Sequence, residues 1–600
     1  MSVGARYREK DKCDFCVWAP LAREMQVRLL DPPGKVCSMR RSEGGYWTCR
    51  VEGITPGSLY VFIIDGKEER PDPASFFQPE GVHGPSSVVD HNSFKWTDTS
   101  WRCMRPAEMI IYEVHCGTFS ERGDLYGAAD NLEYLRYLGV NAVELMPLSQ
   151  FPGNRNWGYD GVYPYSVHSD YGGPGALKHF VDRAHSTGLA VILDVVYNHL
   201  GPEGNYLRRF GPYFTDKYKT PWGEAVNYDG PHSDAVRKYF IENALYWLDL
   251  YHIDGLRLDA IHGIYDTGAV KFLEELSRDT KAYARSSGKT VFLIAESDRN
   301  DPEVIRPFSA GGMELDAQWC DDFHHSIHAM LTGEDDGYYK DFGDISHLVK
   351  AFREGYVFSG QYSEFRKRRH GAYAGDMPPS KFVVFDQNHD QVGNRKKGSR
   401  LSTLVSFEEL KLAAGCVLLS PYIPLLFMGE EYAEKAPFNY FISHGDRDLV
   451  EAVRKGRREE FRSFGWNGQI PDPEDISTFT ASKIDISGKD SDNGGSMFAL
   501  YRELISIRKR MYNIEELRRK DITVIDEADN KLFSVSFPGK KGLLCSIFNF
   551  SKRDLSYRKA VAPGTMKRIL DSSDVKWGGP GSSAEGEINA LSFMLLTEVK

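Results

Sequence analysis

LAVILDVVYNH (Leu189–His199) and GLRLDAIH (Gly255–His262) decide the fold. Each begins as a short apolar run and ends on polar groups: Asp194, Asn198 and His199 in the first, Arg257, Asp259 and His262 in the second. Between them Phe240, Ala244, Trp247 and Leu248 recur at helical spacing behind Asp234, a residue type that caps helix N-termini. The stretch reads strand, helix, strand, with both strands buried and therefore parallel in one sheet.

The same unit repeats outward in both directions. Ile110–Val114, Val140–Met146, Val291–Ala295, Phe382–Phe385 and Pro424–Met428 read as further strands, with a weaker one at Leu315–Trp319. Helices are expected through Leu132, Leu135 and Leu138, capped by Asp130 and stopped by Gly139. Others run through Leu177, Phe180, Val181 and Ala184, stopped by Gly188, and through Phe272–Leu276. About eight units favour a closed (β/α)₈ TIM barrel over an open doubly wound sheet. No GxGxxG or GxxxxGK[ST] follows the first strand, which counts against a nucleotide fold.

The flanks have a different texture. Phe15–Trp18, Met25–Leu30, Tyr46–Val51 and Leu59–Ile64 are short runs parted by Asp31-Pro32-Pro33-Gly34, Gly44-Gly45, Thr55-Pro56-Gly57 and Asp65-Gly66. That spacing predicts an N-terminal immunoglobulin-like β-sandwich over 1–90, with a Pro/Gly-rich exit from Pro71 to Pro85. The barrel with loop insertions is expected over 91–520, and a small C-terminal β domain over 521–600 through Leu532–Phe537 and Leu543–Phe548.

Composition narrows the partners. The chain has 600 residues, a formal net charge of −11 and 13% aromatic residues. An acidic surface argues against nucleic acid and against an anionic membrane. The basic run Arg366-Lys367-Arg368-Arg369 is read as a solvated face. The N-terminus has no signal-peptide core, and the most apolar stretch, Ala413 to Met428, is broken by Pro421 and Pro424. The nine cysteines are scattered and odd in number, which points to reduced thiols and a cytoplasmic protein; the lone CxxC pair, Cys13 and Cys16, has no partner pair. Monomer and homodimer both stay open.

In a parallel barrel the C-terminal strand ends converge on one face, where active sites form. Clusters at four of them therefore become neighbours: Asp194, Asn198 and His199; Arg257, Asp259 and His262; Glu296 and Asp298; Asn388, His389 and Asp390. Asp259 and Glu296 supply the carboxylate and carboxylic acid that glycoside hydrolysis needs. Arg257 lies two residues before Asp259, on the same strand face, and favours its ionised form. An enclosed pocket with neighbouring carboxylates keeps Glu296 protonated to higher pH. Asp390 adds charge near the developing oxocarbenium. Asp194 has two roles open, pairing with Arg257 or touching sugar.

At these residues the chain resembles the α-amylase family of glycoside hydrolases, through DVVYNH (Asp194–His199), GLRLDAIH (Gly255–His262), AES (Ala295–Ser297) and QNHDQ (Gln387–Gln391). The resemblance implies a retaining mechanism, with Asp259 as nucleophile, Glu296 as acid/base and Asp390 as transition-state stabiliser. It implies that His199, Arg257 and His389 bind the sugar being cleaved or hold the nucleophile.

The chain is most similar to the trehalose-releasing members of that family. NWGYDGV (Asn156–Val162), GPYF (Gly211–Phe214), TPWGEAVNYD (Thr220–Asp229), Asp316–Tyr339, QNHDQVGNR (Gln387–Arg395) and LLFMGEEYA (Leu425–Ala433) carry this. The implied substrate is maltooligosyltrehalose or a related α-glucan, cut with no cofactor. Candidates for lining the cleft are Asp194, Asn388, Ala260, Ile261, His262, Asp321, Asp322, Phe323, His324, His325, Gln391, Val392, Gly393 and Asn394. Asp160 and Val162 stand where family members commonly have His and Tyr; Tyr159, Trp157 and Trp222 are the candidate stacking rings. His324 and His328 are four apart, but His325 stands where a zincin helix needs Glu, so sugar hydrogen bonding or packing is expected rather than metal. Glucan branching or debranching is the rival enzyme reading, and a non-catalytic glucan-binding protein the rival from another class.

Overall fold

A computed structural model describes the chain except residues 1–2, 9–10, 32–33, 221–222, 464–469, 562–565 and 599–600. Trp222 and the Pro32-Pro33 turn thus lie outside the described residues. Eight parallel strands close into a barrel: β1 (Ile111–Val114), β2 (Ala142–Leu145), β3 (Ala190–Val195), β4 (Gly255–Leu258), β5 (Phe292–Ala295), β6 (Ala317–Trp319), β7 (Phe382–Val384) and β8 (Ile423–Phe427). β8 pairs back onto β1 through Ile111 and Leu425, so no edge remains. The expected strands all form, the weakest shortened to β6.

The helices follow the sequence, with two differences at their starts. Gly139 (φ 106°) and Gly188 (φ 82°) end helices Leu132–Leu138 and Gly173–Thr187 in the left-handed region. Asp130 does not cap the first of these; it closes a short helix, Leu125–Ala129, and Asn131 precedes Leu132. Helix Ser233–Leu250 starts behind His232 (φ 67°), and Asp234 sits inside its first turn, where its charge still faces the helix dipole.

Two antiparallel sheets form at the N-terminus. One joins Gly4–Arg8, Lys12–Trp18, Tyr46–Glu52 and Arg40–Arg41; the other joins Val36–Ser38, Met25–Leu29, Leu59–Ile64 and Glu68–Arg70, with Ser86–Ser87 on Leu59–Ile64. Their shared core includes Phe15 edge-on to Tyr60 at 4.9 Å. Trp18 meets Tyr213 at 5.0 Å and Phe62 meets Phe210, so the sheets rest on the barrel segment around residue 210. At the other end a five-stranded antiparallel sheet runs in the order Thr523–Glu527, Leu532–Gly539, Gly542–Asn549, Ser592–Glu598, Met566–Asp571. It docks on helix Phe407–Leu418, where Gly415 is required: a Cβ there would lie 2.5 Å from the ring of Phe593. Among the described residues no helix is long and apolar enough to cross a membrane.

Candidate active site

The barrel interior changes character along its axis. Ile111, Ala142, Ile192 and Ile294 belong to an apolar cluster inside the barrel with Trp319, Phe385 and Leu425. Two residues on, the same strand faces carry Glu113, Glu144, Asp194 and Glu296. Arg257 and Asp259 enter this layer from β4 and the turn after it. The alternation that builds the core therefore also delivers its charges to the open end.

Arg257 is the hub. It is fully buried, with its guanidinium 4.3 Å from the centroid of the Trp319 ring. Nη1 donates to Asp194 Oδ2 at 2.6 Å and to Asp259 Oδ1 at 2.7 Å, and Nη2 lies 3.6 Å from Glu296 Oε2. Burial opposes its charge, but Asp194, Asp259 and Glu296 outweigh that and keep it a cation. Asp194 Oδ2 is bonded to Arg257 and to the Tyr159 hydroxyl, the latter at 2.8 Å, which is the pairing expected of its structural alternative. The second oxygen of Asp259 accepts from Asn198 Nδ2 at 2.8 Å. Asp259 is thus clamped from both sides.

Glu296 is held more loosely. Its Oε2 accepts from the backbone N–H of Ala260, a residue with φ 38° in the tight turn after Asp259. Burial, then the charge of Asp259, pushes its carboxyl above the usual range against the pull of Arg257. A Glu296 that keeps its proton to higher pH than usual, beside a clamped Asp259, is an asymmetry suited to acid-assisted glycoside cleavage.

Asp390 opens the short helix His389–Gly393, whose N-cap is Asn388. Its Oδ1 accepts from Asn394 Nδ2 at 3.1 Å and lies 3.6 Å from His389 Nε2. His389 Nδ1 donates to Glu113 Oε1 at 2.5 Å, and Nε2 contacts the Tyr159 hydroxyl at 2.8 Å. Burial pulls the imidazole down, but Glu113 and Asp390 prevail and raise it to about 9, so it is an imidazolium at neutral pH. A continuous chain results: Glu113, His389, Tyr159, Asp194, Arg257, Asp259, Asn198. Tyr159 also stacks on His389, with ring centroids 5.2 Å apart.

The expected cleft residues fall into two groups. Tyr159, Asp160, His262, Asp321, Asp390 and Asn394 keep partial exposure, whereas Asp322, Phe323, His324 and Val392 are buried. Asp160 bonds Asn156 at 2.6 Å, and His262 lies 3.8 Å from Asp298. Asp321, though partly exposed, loses solvent to the surrounding protein and faces Glu296, Asp390 and Asp298, and together these raise its carboxyl well above the usual range. His199 bonds Asn198 and the carbonyl of Tyr159. Ile261 is buried, its N–H on the carbonyl of Glu296 at 3.0 Å. Asp322 accepts from Asn300, Val357 and Phe358, so it braces the loop at 357. Phe323 packs on Phe352, and His324 bonds the carbonyl of Asp386 and the Tyr339 hydroxyl. His325 packs against Tyr338 in a tilted contact, with ring centroids 4.5 Å apart. The hydroxyl of Tyr338 reaches Gln391 Oε1 at 3.5 Å. A Cβ on Gly393 would lie 2.0 Å from Trp157, so that ring packs against the backbone beneath the site and bonds the carbonyl of Asn439.

Two carboxylates escaped the sequence reading. Glu113 orients His389, and Glu144 is fully buried with neither oxygen bonded. Burial, then the charge of Glu113, raises Glu144 well above its usual range. Each is a lone Glu in its strand, IYEV and AVEL, with no spacing pattern to mark it as facing inward.

The "Alpha amylase, catalytic domain" family matches residues 86–222, and the "Carbohydrate-binding module 48 (Isoamylase N-terminal domain)" matches residues 2–77. A malto-oligosyltrehalose trehalohydrolase of Saccharolobus solfataricus is 44% identical over 92% of this chain and 93% of its own length. That of Arthrobacter ramosus is 42% identical over 95% and 98%. A crystal structure described as a putative α-amylase from Salmonella typhimurium superposes over the whole of both chains with a TM-score of 0.90 at 38% identity. With that identity along nearly its whole length, and with the four strand-end clusters gathered at one mouth, the chain belongs to the malto-oligosyltrehalose trehalohydrolases of the α-amylase family.

Proposed function

We propose that the protein hydrolyses the α-1,4 linkage next to the terminal trehalose unit of maltooligosyltrehalose, releasing trehalose and a maltooligosaccharide with retention at the anomeric carbon. The carrying observation is the pair of carboxylates on one guanidinium, Asp259 at 2.7 Å and Glu296 at 3.6 Å from Arg257. Asp259 attacks the anomeric carbon and forms a glycosyl ester, while Glu296 gives its proton to the departing glycosidic oxygen. Glu296, now a carboxylate, takes a proton from water, and that water opens the ester and frees Asp259. Arg257 and Asn198 hold Asp259 for in-line attack. Asp390, beside the positive ring carbon, stabilises the oxocarbenium-like state. The partly exposed Tyr159, His262 and Asp321 line the sugar path, and Asp322, Phe323 and His324 hold the wall behind it. The scattered, unpaired cysteines support a cytoplasmic location.

Incubation with maltooligosyltrehalose should release trehalose, and the freshly cut glucan end should appear as the α-anomer. If trehalose is absent while amylose is shortened or branched, the protein acts on another glucan bond. A β-anomer would remove Asp259 from the nucleophile's role.

A further inference from the structure

The basic run at 366–369 does not behave as one solvated face. Lys367, Arg368 and Arg369 are exposed, but Arg366 turns inward and is half-buried. Its Nη1 donates to Asp298 Oδ2 at 2.9 Å and its Nη2 reaches the Asp298 carbonyl at 3.4 Å. The other oxygen of Asp298 lies 3.8 Å from His262 Nδ1, a buried ring nitrogen without a hydrogen bond. Asp298 stands two residues after Glu296, and His262 three after Asp259.

The turn that presents Arg366 is built for it. Strands Tyr362–Ser363 and Arg368–Arg369 pair as a small hairpin. Asp341 accepts from the Ser363 hydroxyl and from the N–H groups of Glu364 and Phe365, at 2.7 and 3.1 Å for the latter two. Ser363 Oγ in turn accepts from the N–H of Arg366 at 2.9 Å. Phe365 meets Tyr338 edge-on at 6.2 Å, and Tyr338 reaches Gln391, next to Asp390. The hairpin thus spans from the loop of Glu296 to the loop of Asp390.

We propose that Arg366 is a positioning residue for the leaving-group side of the cleft: through Asp298 it sets the side chains of Asp298 and His262 that hold the sugar expelled when Glu296 delivers its proton. The general acid faces the departing oxygen, so Asp298, which follows it on its own loop, flanks the departing sugar, and His262 joins that side through its approach to Asp298 rather than through its place after Asp259. An Arg paired through two nitrogens fixes Asp298 more tightly than a surface lysine would. This rests on the reading of Asp259 as nucleophile and Glu296 as acid.

Leaving groups provide the test. α-Maltotriosyl fluoride loads the same captured sugars but expels fluoride, which needs no acid and puts no sugar on the leaving side. Arg366→Gln and Asp298→Asn should each lower kcat/KM on maltooligosyltrehalose about tenfold or more, since bound sugar and transition state both lose the contact. On the fluoride both variants should stay within about twofold of wild type. Arg366→Lys should recover part of the loss. Equal losses on both substrates would mean that the hairpin merely supports the fold, and no loss on either would mean that Arg366 is a surface charge; each overturns the assignment. The fluoride activity also reports folding of every variant. Wild-type protein that hydrolyses the fluoride but releases no trehalose would instead refute the substrate proposed above.

Discussion

The two ends of the barrel both bury charge, and they use it differently. At the closed end, Asp254 donates nothing and is saturated: Oδ1 accepts from Trp101 Nε1 at 2.8 Å, and Oδ2 accepts from the N–H of Val191 at 2.8 Å and contacts His185 at 3.0 Å. Asp98 bridges His185 and His252, both at 2.8 Å, and Trp101 and Trp96 stack on those two imidazoles. At the open end, Arg257 gathers three carboxylates, yet Glu296 and Asp390 keep capacity to spare. Residue types are nearly the same; saturation separates a structural lock from a chemical site. A buried carboxylate whose partners are complete holds a loop in place. One left partly unsatisfied at the mouth is ready to exchange a proton or meet a substrate.

Substitutions at the two ends should therefore fail in different measurements. Asp259→Asn should have the largest effect, lowering kcat by about 10⁴-fold or more while the melting temperature barely moves. Next, Glu296→Gln should cost about 10²–10⁴-fold on glucan and remove the alkaline limb of the kcat/KM profile. That limb follows from the raised Glu296 carboxyl: the acid form is active, so activity falls as pH rises through its value. Retention of the alkaline limb in Glu296→Gln would assign the titration to another group.

At the closed end, His185→Ala should leave kcat within about twofold but destabilise the protein by about 2–3 kcal/mol, because it takes one partner from each of two carboxylates, Asp98 and Asp254, whose remaining bonds are to His252 and to Trp101 and Val191. Denaturant unfolding reads this directly. A large loss of kcat at unchanged stability would collapse the distinction drawn above. The effect should also depend on pH. Burial pulls His185 down, but Asp254 and Asp98 prevail and raise it. A raised imidazole lends stability that is complete below its unfolded value near ~6.5 and is lost as pH rises through the folded value. The gap in melting temperature between wild type and His185→Ala should accordingly shrink above neutral pH. His252 is lowered by burial and has the opposite sign, so the same scan on His252→Ala should not show that shrinkage. Smallest of all, Lys367→Ala should change neither kcat nor stability beyond about 0.5 kcal/mol, as an exposed neighbour of Arg366.

Much of this was legible before any coordinates. β3 and β4 were readable because a strand buried on both faces is a short apolar run, and their polar ends marked the mouth. Gly139 and Gly188 marked helix ends because only a residue without a Cβ takes φ above zero freely. The cap assignments of Asp130 and Asp234 missed by one or two residues, since neighbouring turns compete for the same side chain. Glu113 and Glu144 were hidden because an inward-facing Glu in a strand has no distinctive spacing. Arg366 was misread for a physical reason: four consecutive basic residues look alike in sequence, and only the hairpin sends one of them inward.

The sequence by itself determined the alternation of buried strands with amphipathic helices, and with it the barrel and the end at which Asp259, Glu296 and Asp390 must meet. Those follow from periodicity, which is local. Tertiary structure alone decided that Asp194 belongs to Arg257, that His389 is charged by Glu113, and that Asp98, His185 and Asp254 lock the opposite end. Such pairings join residues up to 276 positions apart, and no local pattern records which buried charge finds which partner.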